Sequence, residues 1–209
     1  MVSKQPSFHE VDGVRYDRVT SALSIIAKPY LYAWYGKHGS EKCKEIVDAS
    51  LDYGSFVHNL LERHIKGEDI TKEIPIEKKR IFDDFFRISS LHRLTYVSSE
   101  MPVYNKKLLY CGTLDATAQA PSGQLWLVDF KTSKSIYPEY LLQLSAYWNA
   151  YEETTNQKID KAMIIRLEKD NPDENPSEAC FLDRSESEEL FPVFESVLNV
   201  YRWSRKKAR

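Results

Sequence analysis

Apolar residues recur at helical spacing in the first and last parts of the chain, and between them the period shortens to that of strands. Thr20 or Ser21 can cap a helix running through Trp34, on which Leu23, Ile26, Leu31 and Trp34 fall at helical intervals. Pro29 is expected to divide or kink it. Phe56, Leu60, Leu61 and Ile65 predict a second helix from Ala49 to Ile65, ending near Gly67. Ile81, Phe85, Ile88 and Leu91 predict a third from Ile76 to Leu94. Tyr96–Tyr104, Leu108–Ala118 and Gln124–Phe130 then read as strands, the last two joined at Ser122-Gly123 as a hairpin. Tyr140, Leu141, Leu144, Tyr147, Trp148 and Tyr151 restore the helical period over Tyr137–Thr154. A strand at Lys161–Leu167, a polar loop at Glu168–Ser177, a short strand at Ala179–Leu182 and a closing helix from Glu186 to Arg205 complete the order.

That order predicts an α/β fold, a central mixed β-sheet flanked by helices and preceded by a helical segment. Residues 1–209 are expected to form one domain, with 1–95 mainly helical, 96–182 the sheet core carrying helix 137–154, and 186–205 the closing helix. A length of 209 residues with 42% hydrophobic content can bury one substantial core.

The net charge of −2 lacks the basic signature of a protein that coats nucleic acid, but it leaves room for a local basic channel. Cys43, Cys111 and Cys180 are isolated and odd in number, which gives neither a disulfide framework nor a paired-cysteine metal site. The opening Met1-Val2-Ser3-Lys4-Gln5-Pro6 has no apolar run, and no stretch reaches the roughly 18 apolar residues of a membrane helix. A cytoplasmic location is therefore expected, the host's cytoplasm if the source is viral.

The chemistry gathers at the strand ends. If the two later strands pair, Asp115 and Asp129 come together as hard oxygen ligands suited to Mg²⁺ or Mn²⁺. Asp129 and Lys131 are two apart on a strand and share a face, which puts an ammonium beside the metal and its water. The competing reading is an exposed strand-end ion pair. His58 and Glu62 share a helix face four residues apart. They form either a surface pair or a nitrogen ligand with a supporting carboxylate. Gln143 and Tyr147 are likewise four apart. They either touch a phosphate or base and brace the site, or serve as a surface residue and core filler. Lys134 is a candidate phosphate contact, and the basic end Arg202–Arg209 is either another or a solvated tail.

Four segments then fall in one order. They are Gly54-x-x-x-His58-x-x-x-Glu62, Gly112-Thr113-Leu114-Asp115, Val128-Asp129-Phe130-Lys131-Thr132-Ser133-Lys134 and Gln143-Leu144-Ser145-Ala146-Tyr147. Together, over Tyr53–Tyr151, they resemble the RecB-like branch of the PD-(D/E)XK nucleases. The resemblance implies a restriction-endonuclease-like core and a Mg²⁺- or Mn²⁺-dependent deoxyribonuclease. His58, Asp115, Asp129 and the Phe130 backbone carbonyl would hold metal, and Lys131 would position or activate water. Gln143, Tyr147 and Lys134 would contact DNA or brace the site, while Glu62 and Glu100 would stand behind it. The compact spacing is similar to the mitochondrial genome maintenance exonuclease and to stand-alone phage and archaeal-virus relatives. That implies exonuclease action on single-stranded DNA or DNA ends in replication, repair or recombination. Iron–sulfur members carry four cysteines, so no such cluster is expected here. A non-catalytic DNA-binding module and a structure- or sequence-specific endonuclease are the alternatives.

Overall fold

The structure, a computed structural model, describes residues 7–206. It begins with a hairpin absent from the expectation above: β1 (Phe8–Val11) and β2 (Val14–Arg18) pair antiparallel in the register Val11↔Val14. The turn is Asp12-Gly13, both at positive φ (51° and 75°), which is the backbone a two-residue hairpin requires. Among the described residues, the part expected to be mainly helical thus opens with a hairpin.

The helical stretch expected over Thr20–Trp34 is divided at Pro29, as its sequence predicts, into α1 (Val19–Leu23) and α2 (Pro29–His38). Proline stands at the start of α2, where its missing N–H costs nothing, and it disfavours helical geometry at Lys28. Helix α3 (Ser40–Ile65) starts nine residues before the expected Ala49. Cys43 is the one buried residue of its first turns, so no apolar stripe announces them. A 3₁₀ turn at Ile76–Lys78 leads into α4 (Lys79–Leu91).

Strands β3 (Thr95–Asn105), β4 (Tyr110–Gln119) and β5 (Leu125–Lys131) follow, then α5 (Pro138–Thr155), β6 (Lys161–Arg166), β7 (Glu178–Leu182) and α6 (Arg184–Ser204). The seven strands form one mixed sheet in the order β1-β2-β4-β5-β6-β7, with β3 pairing β4. β4 and β5 are antiparallel, as the Ser122-Gly123 turn predicts, and β5 and β6 are parallel.

Each face of the sheet buries an apolar layer. Leu114, Leu127 and Ile164 pack against α1, α5 and α6 through residues such as Val19, Leu144, Trp148 and Leu198. Val128, Phe130, Met163 and Ile165 pack against α3 and α4 through Val57, Leu61, Phe82 and Phe85. β5 and β6 are covered on both sides, which explains their nearly continuous apolar runs. No helix among the described residues is long and apolar enough to cross a membrane.

Candidate active site

The site forms where β4 and β5 part. Their pairing ends at Ala116↔Val128, and beyond it the Phe130 amide donates to the Asp115 carboxylate (2.7 Å). Asp115 thereby satisfies a backbone donor left over as the ladder stops. Two residues apart on β5, Asp129 and Lys131 meet at 2.7 Å (Oδ2 to Nζ). Gln143 of α5 bridges them: its Nε2 donates to Asp129 Oδ1, and its Oε1 accepts from Lys131 Nζ, both at 3.3 Å. His58 of α3 places Nδ1 3.3 Å from Asp115 Oδ1. Tyr140 lies with its ring centre 5.0 Å from the Lys131 ammonium, a cation–π contact.

Glu100 sits on β3 between Ser99↔Ala116 and Met101↔Leu114, directly across from Asp115. It holds φ at 49°, a left-handed conformation that a non-glycine residue keeps only where its surroundings impose it. One potential ligand atom each from His58, Glu100 and Asp115 lie within 4.8 Å of one another.

The electrostatics are those of crowded carboxylates. Burial pushes the Asp129 carboxyl up to about 6; Lys131 opposes the rise and Asp115 adds to it. Burial also raises Glu100, aided by Asp115 and Glu62. At Asp115 burial acts the same way, but His58, Lys131 and the Phe130 amide together outweigh it and hold the carboxyl below its usual range. Burial disfavours charge on His58 and Lys131, yet Asp115 and Asp129 respectively keep both pKa values raised. Asp129 Oδ2 is buried and rests on the Lys131 ammonium 2.7 Å away. A buried carboxylate beside two more carboxylates and an imidazole fits a hard divalent cation.

A cleft of about 490 Å³ opens along α3 at this point. Ser50, Gly54, His58 and Glu62 line one wall at one-turn intervals, with Glu100 and Thr132 opposite. A Cβ on Gly54 would stand 3.3 Å from Thr132 Oγ1, so the small residue brings α3 close to the chain just past Lys131. A Cβ on Gly112 would come within 2.1 Å of the Tyr147 ring, which ties the two motifs that contain them into one packed unit.

The other residues singled out in the sequence are distributed as follows. Tyr147 is 4% exposed and buried against Gly112; its hydroxyl bonds with Gln143. That is a bracing position, with no ring face open to a base. Glu62 lines the cleft but pairs with Lys66, while His58 partners Asp115. Lys134 is exposed on the loop after β5. Arg202 binds Asp17 and the carbonyls of Leu108 and Leu109, which makes it a structural tie. Lys207–Arg209 of the basic end lie outside the described residues. Sequence spacing did not assign Tyr140 to Lys131, nor did it place Glu100 level with His58 and Asp115; both depend on contacts between distant elements.

No known family profile and no curated protein matches this sequence. Solved structures do. SSO0001 superposes with a TM-score of 0.51 at 13% identity, over 95% of this chain and 80% of that one. A proposed exonuclease from Eubacterium rectale superposes with a TM-score of 0.50, also at 13% identity, over 75% of this chain and 69% of that one. The chain therefore shares its α/β fold with SSO0001 and with that Eubacterium rectale protein.

Proposed function

We propose that this protein is a Mg²⁺- or Mn²⁺-dependent deoxyribonuclease, acting as an exonuclease on single-stranded DNA or DNA ends in replication, repair or recombination. One observation carries the reading: three elements, α3, β4 and β5, bring His58, Asp115, Asp129 and Lys131 together beside a cleft that His58 lines. The fold shared with a proposed exonuclease agrees with it. On this reading residues 1–209 constitute one nuclease domain.

His58, Asp115, Asp129 and the Phe130 carbonyl would hold the cation, and Glu100 joins them as a candidate direct ligand from its place beside His58 and Asp115. The cation supplies charge neutralisation at the scissile phosphate and a more acidic water. Lys131 remains an ammonium, fixed by Asp129, Gln143 and Tyr140, and its role is to orient the nucleophile and offset charge building on the phosphate. Gln143 keeps Asp129 and Lys131 in register. Tyr147 holds α5 against β4, and Glu62 stands at the cleft wall.

The test is digestion of 5′- and 3′-labelled single strands, duplexes and closed circles with Mn²⁺, Mg²⁺ or EDTA. The expected result is metal-dependent shortening from ends, with circles spared. Undiminished digestion in EDTA, or in Asp129→Ala and Lys131→Ala variants, would overturn the proposal. Discrete cuts in circles would point to the endonuclease alternative, and retention without cleavage under every metal to the binding module.

A further inference from the structure

The chain immediately after Lys131 is held by a buried polar network that the chemistry above does not use. Arg166, at the end of β6, is fully buried. Its guanidinium donates to Glu178 Oε1 (2.7 Å), Glu168 Oε2 (2.7 Å), Asn175 Oδ1 (3.0 Å), the Pro176 carbonyl (2.6 Å) and, more distantly, the Ser133 carbonyl (3.4 Å). Asn175 extends the network outward, its Nδ2 donating to Glu168 Oε2 and to the Lys134 carbonyl, both at 2.7 Å. The Ser133 hydroxyl donates to the Ser135 carbonyl at 2.8 Å. Three successive carbonyls are thus drawn to internal donors.

In a planar trans peptide the next N–H points opposite to the carbonyl. With the Ser133 and Lys134 carbonyls turned toward Arg166 and Asn175, the Lys134 and Ser135 amides turn away from the network. No acceptor among the described residues takes either amide, and both residues are exposed. Thr132, two residues earlier, lines the cleft. Consecutive outward amides beside a lysine side chain are an arrangement that binds an oxyanion.

We propose that the Lys134 and Ser135 amides, with the Lys134 ammonium, form a binding site for a backbone phosphate of the nucleic-acid strand, held open by Arg166 and Asn175 as positioning residues. This rests on the nucleic-acid reading of the cleft. It gives the polar loop 168–177 a purpose, because Asn175 reaches Lys134 from that loop.

The experiment titrates ¹⁵N-labelled protein with a short oligothymidylate in Ca²⁺ and follows backbone amide resonances, with Mn²⁺ affinity measured separately by calorimetry. The Lys134 and Ser135 amides should shift and saturate with the bound fraction. Asn175→Leu should weaken oligonucleotide binding about tenfold, the scale of a hydrogen bond to a charged group. Lys134→Gln should reduce the salt dependence by about one phosphate contact. Both variants should keep the wild-type Mn²⁺ affinity. The proposal fails if these amides do not move on binding, if Asn175→Leu binds as tightly as the wild type, or if Mn²⁺ affinity falls in step with DNA affinity. Cleavage without the amide shifts would remove this site and leave the nuclease reading; the shifts without cleavage would do the reverse.

Discussion

Two carboxylates of this protein are both largely shielded from water and meet opposite fates. Glu152, near the end of α5, accepts from Trp148 Nε1, the Ile159 amide, Lys158 and Arg184. Burial opposes its ionisation, but those donors, Arg184 foremost, pull its carboxyl down to about 2. Asp129 has Gln143 and the Lys131 ammonium, yet burial lifts its carboxyl to about 6. The first is a saturated tie between α5, the loop that precedes β6, and α6. The second has fewer donors, and the Asp115 carboxylate beside it adds to the rise. A fold gains nothing from setting buried carboxylates side by side, so the cluster marks where a ligand is expected.

The contrast breaks most visibly at Asp129 and Lys131. Asp129→Ala and Lys131→Ala should each lower DNA hydrolysis on the order of 10³-fold while leaving the protein folded. Oligonucleotide digestion and circular dichroism would check this, and near wild-type rates would end the catalytic assignment. Gly112→Ala should cost about 3 kcal/mol, because its methyl would overlap the buried Tyr147 ring; Gly54→Ala, facing a movable Thr132 hydroxyl, should cost far less. Thermal melts of the pair would show the difference.

Glu152→Gln should destabilise the protein by about 2 kcal/mol at neutral pH and leave the activity of the folded molecules unchanged. A depressed carboxyl contributes its stability above the ordinary value of 4.5 and loses it as pH falls toward 2. The gap between wild type and variant in urea titrations should therefore close on acidification. The smallest effect concerns Asp129: its raised carboxyl lets protons compete with a cation below about pH 6. The Mn²⁺-induced rise in Tm should be full at pH 8 and shrink as pH falls through 6. A rise independent of pH would detach Asp129 from the metal.

Much of this was legible in the sequence where local chemistry decides the outcome. The Ser122-Gly123 turn set β4 against β5 and so brought Asp115 to Asp129, and strand parity put Lys131 on the face of Asp129. Helix α5 and strand β6 followed from their periods. The N-terminal hairpin carried a signal too, in Asp12-Gly13 between short strands, but its charged residues hid the alternation. The early turns of α3 gave none, since nearly all of their side chains face water. Glu100 was legible as an acid near the site but not as a neighbour of His58. That placement comes from its register on β3 and a left-handed backbone, neither of which its neighbours in sequence encode. The binding of Lys131 by Tyr140 and the reach of Asn175 to Lys134 likewise depend on how distant elements pack.

The central claim is that these carboxylates converge to bind a cation. Anomalous diffraction from a crystal soaked in Mn²⁺ tests it most directly. The account predicts manganese between Asp115 and Asp129, within coordination distance of His58. Manganese found only elsewhere, or none at a concentration that supports activity, would contradict it.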